Sequence, residues 1–267
     1  MSQSAASESL KTLESQFGIQ LFDRIGKRLQ LNDLGENVKK QAKPFMERAR
    51  ALEDALKQHT KLGSLKVGAT LSIGNYLAIN ILSSFRDLYA GANATLEVAN
   101  TTAIAHKVAN FELDIGLIEG EVSHEDLDVI PWREDELVVF CSPNHPYAMR
   151  RTLNDQELMA AQWILRETGS GTRQAFDYAM HGILPNLNVT LELQHTEAIK
   201  RAVEAGMGIG CLSKITLNDA FIRGNLVPIH TPHRNFHRQL YFIIHKDKYR
   251  SHALNSWLEL CQKRFLS

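Results

Sequence analysis

The sequence predicts an α/β protein of two lobes, preceded by a long helix and a shorter amino-terminal helix. From residue 65 onward, short apolar runs alternate with amphipathic stretches, which is typical of strands separated by helices. Before residue 63, apolar residues recur at spacings of three and four, which is typical of helices. The pattern changes at residues 63–64, and we expect the α/β body to begin there.

The composition is that of an ordinary globular protein. Of 267 residues, 44% are hydrophobic and 22% are charged. Lys and Arg total 30, as do Asp and Glu, so the net charge neither favours nor excludes nucleic acid. Cys141, Cys211 and Cys261 are far apart, which predicts a reducing compartment without disulfides. With no signal-peptide pattern and no apolar run of about 18 residues, we expect a cytoplasmic protein and no membrane partner.

The first segment predicts an amphipathic helix. Ala6, Leu10, Leu13 and Phe17 are four, three and four residues apart, and Gly18 follows as a residue that ends a helix. The opposite face carries polar and basic side chains, namely Gln3, Ser4, Ser7, Glu8 and Lys11. Gln and Ser side chains can hydrogen-bond to base edges in a DNA major groove.

A basic segment follows this helix. Arg24, Lys27 and Arg28 would lie on a turn and beside DNA phosphates. The alternative is an amphipathic surface helix followed by a solvated loop. The pattern alone favours that alternative, because amphipathic helices are common.

The residue order here resembles the recognition helix and wing of LysR-type transcriptional regulators. The motif Ser-Gln-x-Ala-x-Ser-x-x-Leu-x-x-Leu-Glu occupies residues 2–14, and Gly-x-x-Leu-Phe-x-Arg occupies residues 18–24. The resemblance implies a partial winged helix-turn-helix at residues 1–31. In this motif Gln3, Ser4 and Ser7 would face DNA bases, and Arg24 would face the DNA backbone. Such regulators have a helix and a turn before the Ser-Gln pair, so we expect an incomplete DNA-binding head.

A long helix is predicted at residues 32–63, with Asn32 as its N-cap. Its apolar residues follow a period close to the value of about 3.5 residues that is typical of coiled coils. The seam is formed by Leu34, Val38, Ala42, Phe45, Ala49, Leu52 and Leu56, and Leu31 precedes it by three residues. Pro44 lies within the helix and predicts a kink. The alternative is a helix packed on its own domain, but the resemblance favours a linker helix that forms a homodimer.

The remaining sequence predicts strand–helix units. Strands are expected at residues 65–69, 95–99, 113–118, 137–141, 163–166, 207–212, 226–229 and 240–244, and helices at residues 196–205 and 252–265. Residues 142–146 and 236–238 would carry the chain between lobes. This gives an effector-binding domain at residues 64–267. Lobe one is predicted at 64–143 plus 238–267, and lobe two at 144–237. The arrangement resembles the periplasmic-binding-protein fold, the effector domain expected of LysR-type regulators.

Polar residues follow several of the predicted strands, where open α/β sheets bind ligands. Hydroxyls and backbone N–H groups at helix starts favour anions, so we predict a small anionic metabolite or inorganic oxyanion as effector. Its contacts are predicted at Thr70, Leu71, Ser72, Asn100, Thr101, Glu119, Thr168, Gly169, Ser170, His195 and Thr196. By resemblance, Thr70, Ser72, Asn100 and Thr168 lead this set. The alternative for each Ser or Thr is an ordinary N-cap, and for His195 a helix-start residue bonded to the backbone.

Neither a catalytic site nor a metal site is predicted. The 11 histidines are scattered without a metal-binding spacing. Residues 206–210 are glycine-rich but lead from a helix into a strand, the reverse of a dinucleotide-binding turn. We therefore expect no enzyme activity and no cofactor.

We interpret the sequence as a ligand-responsive transcription regulator of LysR type. The resemblance implies a homodimer that assembles into a tetramer on promoter DNA, with RNA polymerase as a further partner. The alternative is a stand-alone solute-binding protein of the same two-lobed fold, and the apolar seam of the long helix argues against it.

Overall fold

A computed structural model of the chain describes residues 3–26, 28–57, 63–150 and 152–263. The contacts divide the protein into two units, residues 1–56 and residues 57–267. None of the described helices is long and apolar enough to cross a membrane.

Unit one consists of helix α1, a β-hairpin and helix α2. Helix α1 (Gln3–Phe17) ends at Gly18, whose φ of +64° is a left-handed conformation that glycine adopts readily. The predicted helix and its end are confirmed. Strands β1 (Phe22–Ile25) and β2 (Arg28–Leu31) pair antiparallel. Leu31 therefore belongs to the hairpin, and the seam of α2 begins at Leu34.

Helix α2 (Asp33–Lys57) begins where the sequence predicts. The Asn32 side-chain oxygen accepts the backbone N–H of Gly35 at 2.8 Å, so Asn32 is the N-cap. The helix continues through Pro44 for 25 residues. A long helix that tolerates an internal proline depends on packing of its apolar face more than on local propensity.

Unit two is an α/β body. Its elements are β3 (Ser64–Thr70), α3 (Leu71–Ile73), a π-helical stretch (Gly74–Ala78), α4 (Ile79–Leu88), β4 (Asn93–Ala99), α5 (Thr101–Ala109), β5 (Ile115–Glu119), β6 (Leu127–Cys141), α6 (Asp155–Ala160), β7 (Gln162–Arg166), α7 (Gly171–Ala179), β8 (Asn188–Leu193), α8 (Thr196–Glu204), β9 (Ile209–Ser213), α9 (Lys214–Ile222), β10 (Val227–Ile229), β11 (His237–His245) and α10 (His252–Lys263). The strands follow the order β4-β3-β5-β11-β6-β9-β7-β8, and β10 pairs with β6. The predicted α/β class is confirmed.

Each lobe has its own apolar core. In lobe one, Trp257 of α10 packs edge-on against Phe85 of α4, with ring centroids 5.5 Å apart. In lobe two, Trp163 of β7 packs edge-on against Phe176 of α7 at 4.9 Å. The last helix therefore returns to lobe one, as expected from the sequence.

Two strands connect the lobes. Strand β6 is 15 residues long and pairs with β11 as far as Glu136, and from Leu137 onward it pairs with β9. The change of lobe thus occurs near residue 136, earlier than the predicted crossover at residues 142–146, because Cys141 already lies in the lobe-two core. The return occurs at the start of β11, close to the predicted position.

The first half of β6 and the whole of β8 were missed by the sequence analysis. Strand β8 alternates exposed and half-buried residues at the edge of the sheet, so it contains no continuous apolar run. In β6, polar residues around Asp135 separate the apolar residues of its two halves. Both strands depend on their pairing partners more than on local composition.

Candidate effector cleft and DNA-binding elements

The starts of α5 in lobe one and α7 in lobe two meet across the cleft. The Thr101 hydroxyl donates to the Glu119 carbonyl at 2.9 Å and accepts the N–H of Gly171 at 3.1 Å. The N–H of Thr102 donates to the Gly169 carbonyl at 3.3 Å. A Cβ at position 171 would lie only 1.9 Å from the Glu119 carbonyl oxygen, so glycine is required for this approach.

A buried carboxylate connects the two lobes. Glu119 is 1% exposed and accepts the N–H of Ser72 at 3.2 Å and the Thr172 hydroxyl at 2.7 Å. Its second oxygen also accepts Nη1 of Arg238 at 2.9 Å. Burial alone would raise the pKa of Glu119, but the Arg238 charge and these hydrogen bonds hold that pKa below its usual value. Glu119 is therefore an ionised structural bridge between lobes.

Arg238, which the sequence analysis did not single out, balances that carboxylate. Its side chain is 4% exposed, and its guanidinium also pairs at 2.6 Å with Asp135, the residue opposite it on β6. Asp135 in turn accepts the hydroxyl of Ser213, at the end of β9. The sequence did contain a signal for burial, because Arg238 lies two residues before Leu240 and four before Phe242, on the inward face of β11.

Three buried hydroxyls lie at the predicted effector positions. Thr70, Ser72 and Thr196 are 2%, 3% and 2% exposed, and their hydroxyl oxygens have no hydrogen-bond partner among the described residues. We call these three residues the hydroxyl triplet. Thr70 precedes α3 and makes no side-chain cap, so it is not the ordinary N-cap that the sequence left open. Unpartnered buried hydroxyls of this kind indicate a place for a ligand or water.

Residues next to the triplet join the two lobes. Ser72 is joined to Glu119 through its backbone, as described above. Four residues later, the Tyr76 hydroxyl donates to Glu197 of α8 at 2.8 Å, and Glu197 directly follows Thr196. Ser72 and Thr196 therefore each lie close in sequence to a residue that bonds to the other lobe.

Other predicted contacts have protein partners. The Asn100 side chain accepts the N–H of Ala103 at 3.0 Å, and the Ser170 hydroxyl accepts the N–H of Arg173 at 3.5 Å. Asn100 also donates to Glu167 across the cleft at 3.4 Å. These two residues therefore act as N-caps of α5 and α7, which is the alternative anticipated from the sequence.

The remaining predicted contacts are more exposed than the hydroxyl triplet. Thr168 is exposed and, with Thr101 and Gly169, lines a pocket of about 310 Å³ between α5 and α7. His195 is exposed before α8 and makes no side-chain cap, unlike the backbone-bonded alternative. Leu71 is half-buried at the first position of α3. Among the described residues, no group of three or more His, Cys, Asp or Glu could hold a metal ion.

Unit one presents the predicted DNA-binding positions on α1 and the hairpin. Ser4, Ser7 and Lys11 are exposed on α1. The backbone of Arg24 and Arg28 lies on the two strands of the hairpin, as expected for a wing. The predicted roles of the Gln3, Arg24 and Arg28 side chains, and of Lys27 as a whole, lie outside the described part of the chain.

Known protein families match both units. The family described as "LysR substrate binding domain" matches residues 58–266, and "Bacterial regulatory helix-turn-helix protein, lysR family" matches residues 1–36. The chain belongs to the LysR family. LysR-type regulators bind promoter DNA and small-molecule effectors and form oligomers. The helix-turn-helix match separates this LysR chain from the stand-alone solute-binding protein considered as an alternative.

Individual relatives agree with this family. The uncharacterized HTH-type transcriptional regulator YeiE of Escherichia coli is 39% identical over 261 residues, which covers 98% of this chain and 88% of that protein. The regulatory domain of Synechocystis CcmR, solved in complex with 2-PG, is 29% identical with a TM-score of 0.70, covering 76% of this chain and 97% of that one.

A full-length OxyR variant from Pseudomonas aeruginosa extends the fold comparison over most of the chain. It is 22% identical with a TM-score of 0.76, and the match covers 98% of this chain and 86% of that chain. At this identity the likeness concerns the fold. The predicted combination of a LysR-type helix-turn-helix with a periplasmic-binding-protein-like effector domain is confirmed.

Proposed function

We propose that this LysR-type regulator senses a small anionic effector bound at the hydroxyl triplet, between the lobes. The main support for this proposal is that the hydroxyls of Thr70, Ser72 and Thr196 are buried yet have no hydrogen-bond partner among the described residues. Leaving a buried polar group unsatisfied costs about 1–3 kcal/mol. A ligand with several hydrogen-bonding oxygens would satisfy hydroxyls from both lobes at once and would stabilise their closed arrangement.

The local electrostatics support an anion. Thr196 is the first residue of α8, where backbone N–H groups and the helix dipole favour negative charge. Glu119, the buried carboxylate that accepts the Ser72 N–H, already has three donors and is balanced by Arg238. The CcmR regulatory domain, which has the same fold, binds the small anion 2-PG.

Effector binding would act through the two strands that connect the lobes. A ligand that contacts both lobes favours the closed arrangement by its difference in affinity for the closed and open states. In a symmetric oligomer, that shift would change the spacing of the DNA-binding heads and couple effector binding to DNA binding. We propose that this occurs in the cytoplasm, on promoter DNA bound by a tetramer, with RNA polymerase as a further partner.

Helix α2 supports self-association. Four residues of its predicted seam, Leu34, Val38, Phe45 and Leu52, are 44%, 37%, 71% and 62% exposed in a single chain. Burying apolar surface stabilises association by about 25 cal/mol per Å². Pairing of α2 with α2 of a second chain would cover this stripe and form a homodimer.

Titration calorimetry of the full chain tests the proposed effector class. The panel pairs small anions with neutral analogues of similar shape, with inorganic sulfate, inorganic phosphate and 2-PG among the anions. We expect binding of at least one anion, and a loss of roughly tenfold or more in affinity for Thr196→Val, because a hydrogen bond to a charged group is worth about 1.5–3 kcal/mol. The control Thr95→Val changes an exposed residue of β4 and should bind normally. Preference for an uncharged or cationic compound would refute the proposal.

A further inference from the structure

Two polar residues follow the hydroxyl triplet at helical spacing on both sides of the cleft. Tyr76 comes four residues after Ser72, in the π-helical stretch that continues α3. Lys200 comes four residues after Thr196 on α8. Residues four apart lie on the same face of a helix, so Tyr76 and Lys200 stand one turn beyond the hydroxyls on the two facing surfaces.

These residues form a hydrogen-bonded cluster across the cleft. The Tyr76 hydroxyl donates to Oε1 of Glu197 at 2.8 Å and accepts Nζ of Lys200 at 3.2 Å. Lys200 also donates to the Thr216 carbonyl at 3.1 Å and forms an ion pair with Glu197 at 2.5 Å. Tyr76 is the only member from lobe one among these described contacts. We call Tyr76, Glu197 and Lys200 the latch.

The latch is built to open without leaving charges unpaired. Glu197 and Lys200 are three residues apart on α8, so their ion pair persists when the lobes separate. The half-buried Tyr76 hydroxyl also lies 3.4 Å from the Thr216 carbonyl oxygen, and on opening it would exchange this contact and its bonds to Glu197 and Lys200 for water. Burial raises the pKa of Tyr76, with a further contribution from Glu197, so the hydroxyl keeps the proton that it donates.

The backbone around Tyr76 is also unusual. Residues Gly74–Ala78 form a π-helical turn, a geometry that occurs frequently at functional sites. A Cβ at Gly74 would lie 2.7 Å from Cγ2 of Val98, so this turn packs closely on β4. The position of the Tyr76 hydroxyl is thus fixed by the packing of lobe one and not by the latch bonds alone.

We propose that the latch sets the separation of the lobes at the hydroxyl triplet, and thereby the affinity for the effector, without touching the ligand. Tyr76 and Lys200 are positioning residues in this scheme. The part that concerns affinity rests on the proposed function, whereas the part that concerns lobe separation does not. A ligand small enough to bridge Ser72 and Thr196 requires a defined spacing between the two lobes. The latch, one helical turn from these hydroxyls, would hold that spacing.

Spin-label distance measurements on the ligand-free full chain test the lobe separation. The native cysteines are buried, so labels can be placed at Ile79→Cys in lobe one and Asp219→Cys in lobe two, both exposed positions. Dilution with unlabelled protein leaves only distances within one chain. We expect one short distance in the otherwise wild-type protein, and a longer, broader distribution for Tyr76→Phe.

The control is Tyr178→Phe, which removes an exposed hydroxyl on α7 and should leave the distances unchanged. We expect Tyr76→Phe to lower the ratio of closed to open protein about tenfold, the order of a charge-assisted hydrogen bond. Glu197→Gln keeps an acceptor for Tyr76 and should open the lobes less. In the double variant, Tyr76→Phe should have a smaller effect than in the wild type, because Glu197→Gln has already weakened the bond that Tyr76 donates.

Circular dichroism establishes that each variant is folded. Distances for Tyr76→Phe that overlap those of the parent protein, or a parent that is already open, would overturn the latch. Titration with inorganic phosphate provides the second measurement, with an expected loss of about tenfold in affinity for Tyr76→Phe. If the lobes open in Tyr76→Phe but no anion in the panel binds, the latch stands and the proposed effector fails. If anions bind but the lobes do not open in Tyr76→Phe, the proposed effector class stands and the latch fails.

Discussion

Substituting Gly171 by alanine should prevent closure of the lobes while leaving each lobe folded. An alanine Cβ at this position would lie 1.9 Å from the Glu119 carbonyl oxygen and 2.8 Å from the Glu119 Cβ. Contacts under 3.0 Å are essentially never seen for real Cβ atoms, and backbone atoms cannot rotate away. The start of α7 and the end of β5 must therefore move apart by about 1 Å, a distance that ordinary packing does not absorb.

That movement breaks hydrogen bonds between the lobes. The bond from the Gly171 N–H to Thr101 is 3.1 Å long, and the bond from Thr172 to Glu119 is 2.7 Å long. Lengthening either by about 1 Å takes it beyond hydrogen-bond distance. Loss of the bond to the buried Glu119 carboxylate alone costs about 1.5–3 kcal/mol. This corresponds to roughly a ten- to hundredfold loss of affinity for an effector that requires closure.

The assay combines calorimetry with thermal unfolding of the full chain. Alanine is a better helix former than glycine by about 1 kcal/mol, so α7 itself should not be weakened. Gly91→Ala is the matched control, because Gly91 has a φ of +87° and open space around it. We expect both variants to lower the melting temperature, Gly91→Ala through strain at its positive φ and Gly171→Ala through loss of the bond to Glu119. Only Gly171→Ala should lose binding, and Gly91→Ala should retain it. Wild-type affinity in Gly171→Ala would refute the role of closure.

Three further predictions concern stability, pH and assembly. Thr196→Val should leave the melting temperature unchanged or raise it, since the Thr196 hydroxyl has no described partner. Thr172→Val should lower stability by about 1.5–3 kcal/mol, because it removes a bond to Glu119. Equal melting temperatures for the two variants in thermal denaturation would contradict this. The pKa of Glu119 is lower in the folded protein than in the unfolded chain. Ionised Glu119 therefore stabilises the fold at pH values above the ordinary pKa of Glu, and this stabilisation is lost as the pH falls through the pKa of the folded state. Urea unfolding should therefore show a steeper loss of stability in acid for the wild type than for Glu119→Gln, and parallel pH profiles would count against an ionised Glu119. Finally, Phe45→Glu on the α2 seam should shift the protein to a smaller species in size-exclusion chromatography with light scattering, whereas Gln41→Glu on the same helix should not; an unchanged mass for Phe45→Glu would exclude pairing through this seam.

Local patterns in the sequence were sufficient for the helices of unit one. The spacing of Leu10, Leu13 and Phe17 and the glycine at position 18 locate α1 to within a residue. Asn32 locates the start of α2 because its side chain acts on the adjacent turn. These features depend on contacts within a few residues, which a single sequence displays directly.

The cleft was only partly predictable. The rule that ligands bind beyond strand ends selected the unpartnered hydroxyls of Thr70, Ser72 and Thr196, but it did not separate them from the capping residues Asn100 and Ser170. That distinction depends on which side chains have partners in three dimensions. Hydroxyls at helix starts look alike in the sequence, whether they cap a helix or face a ligand.

Individual side-chain contacts between distant parts of the chain were not predictable. The bond from Lys200 to Tyr76 joins residues 124 positions apart, and neither residue type signals the other. Likewise, the crossing of β6 near residue 136 became evident only from its change of partner strand. Strand pairing and lobe contacts are set by tertiary packing, which overrides local propensity.

A crystal structure of the full chain, grown with the anion that binds most tightly in calorimetry, tests the central claim most directly. We expect the anion between the lobes, with its oxygens about 2.5–3.0 Å from the hydroxyl oxygens of Thr196 and of Thr70 or Ser72. Only water at these hydroxyls, with the anion bound elsewhere on the protein, would contradict the account.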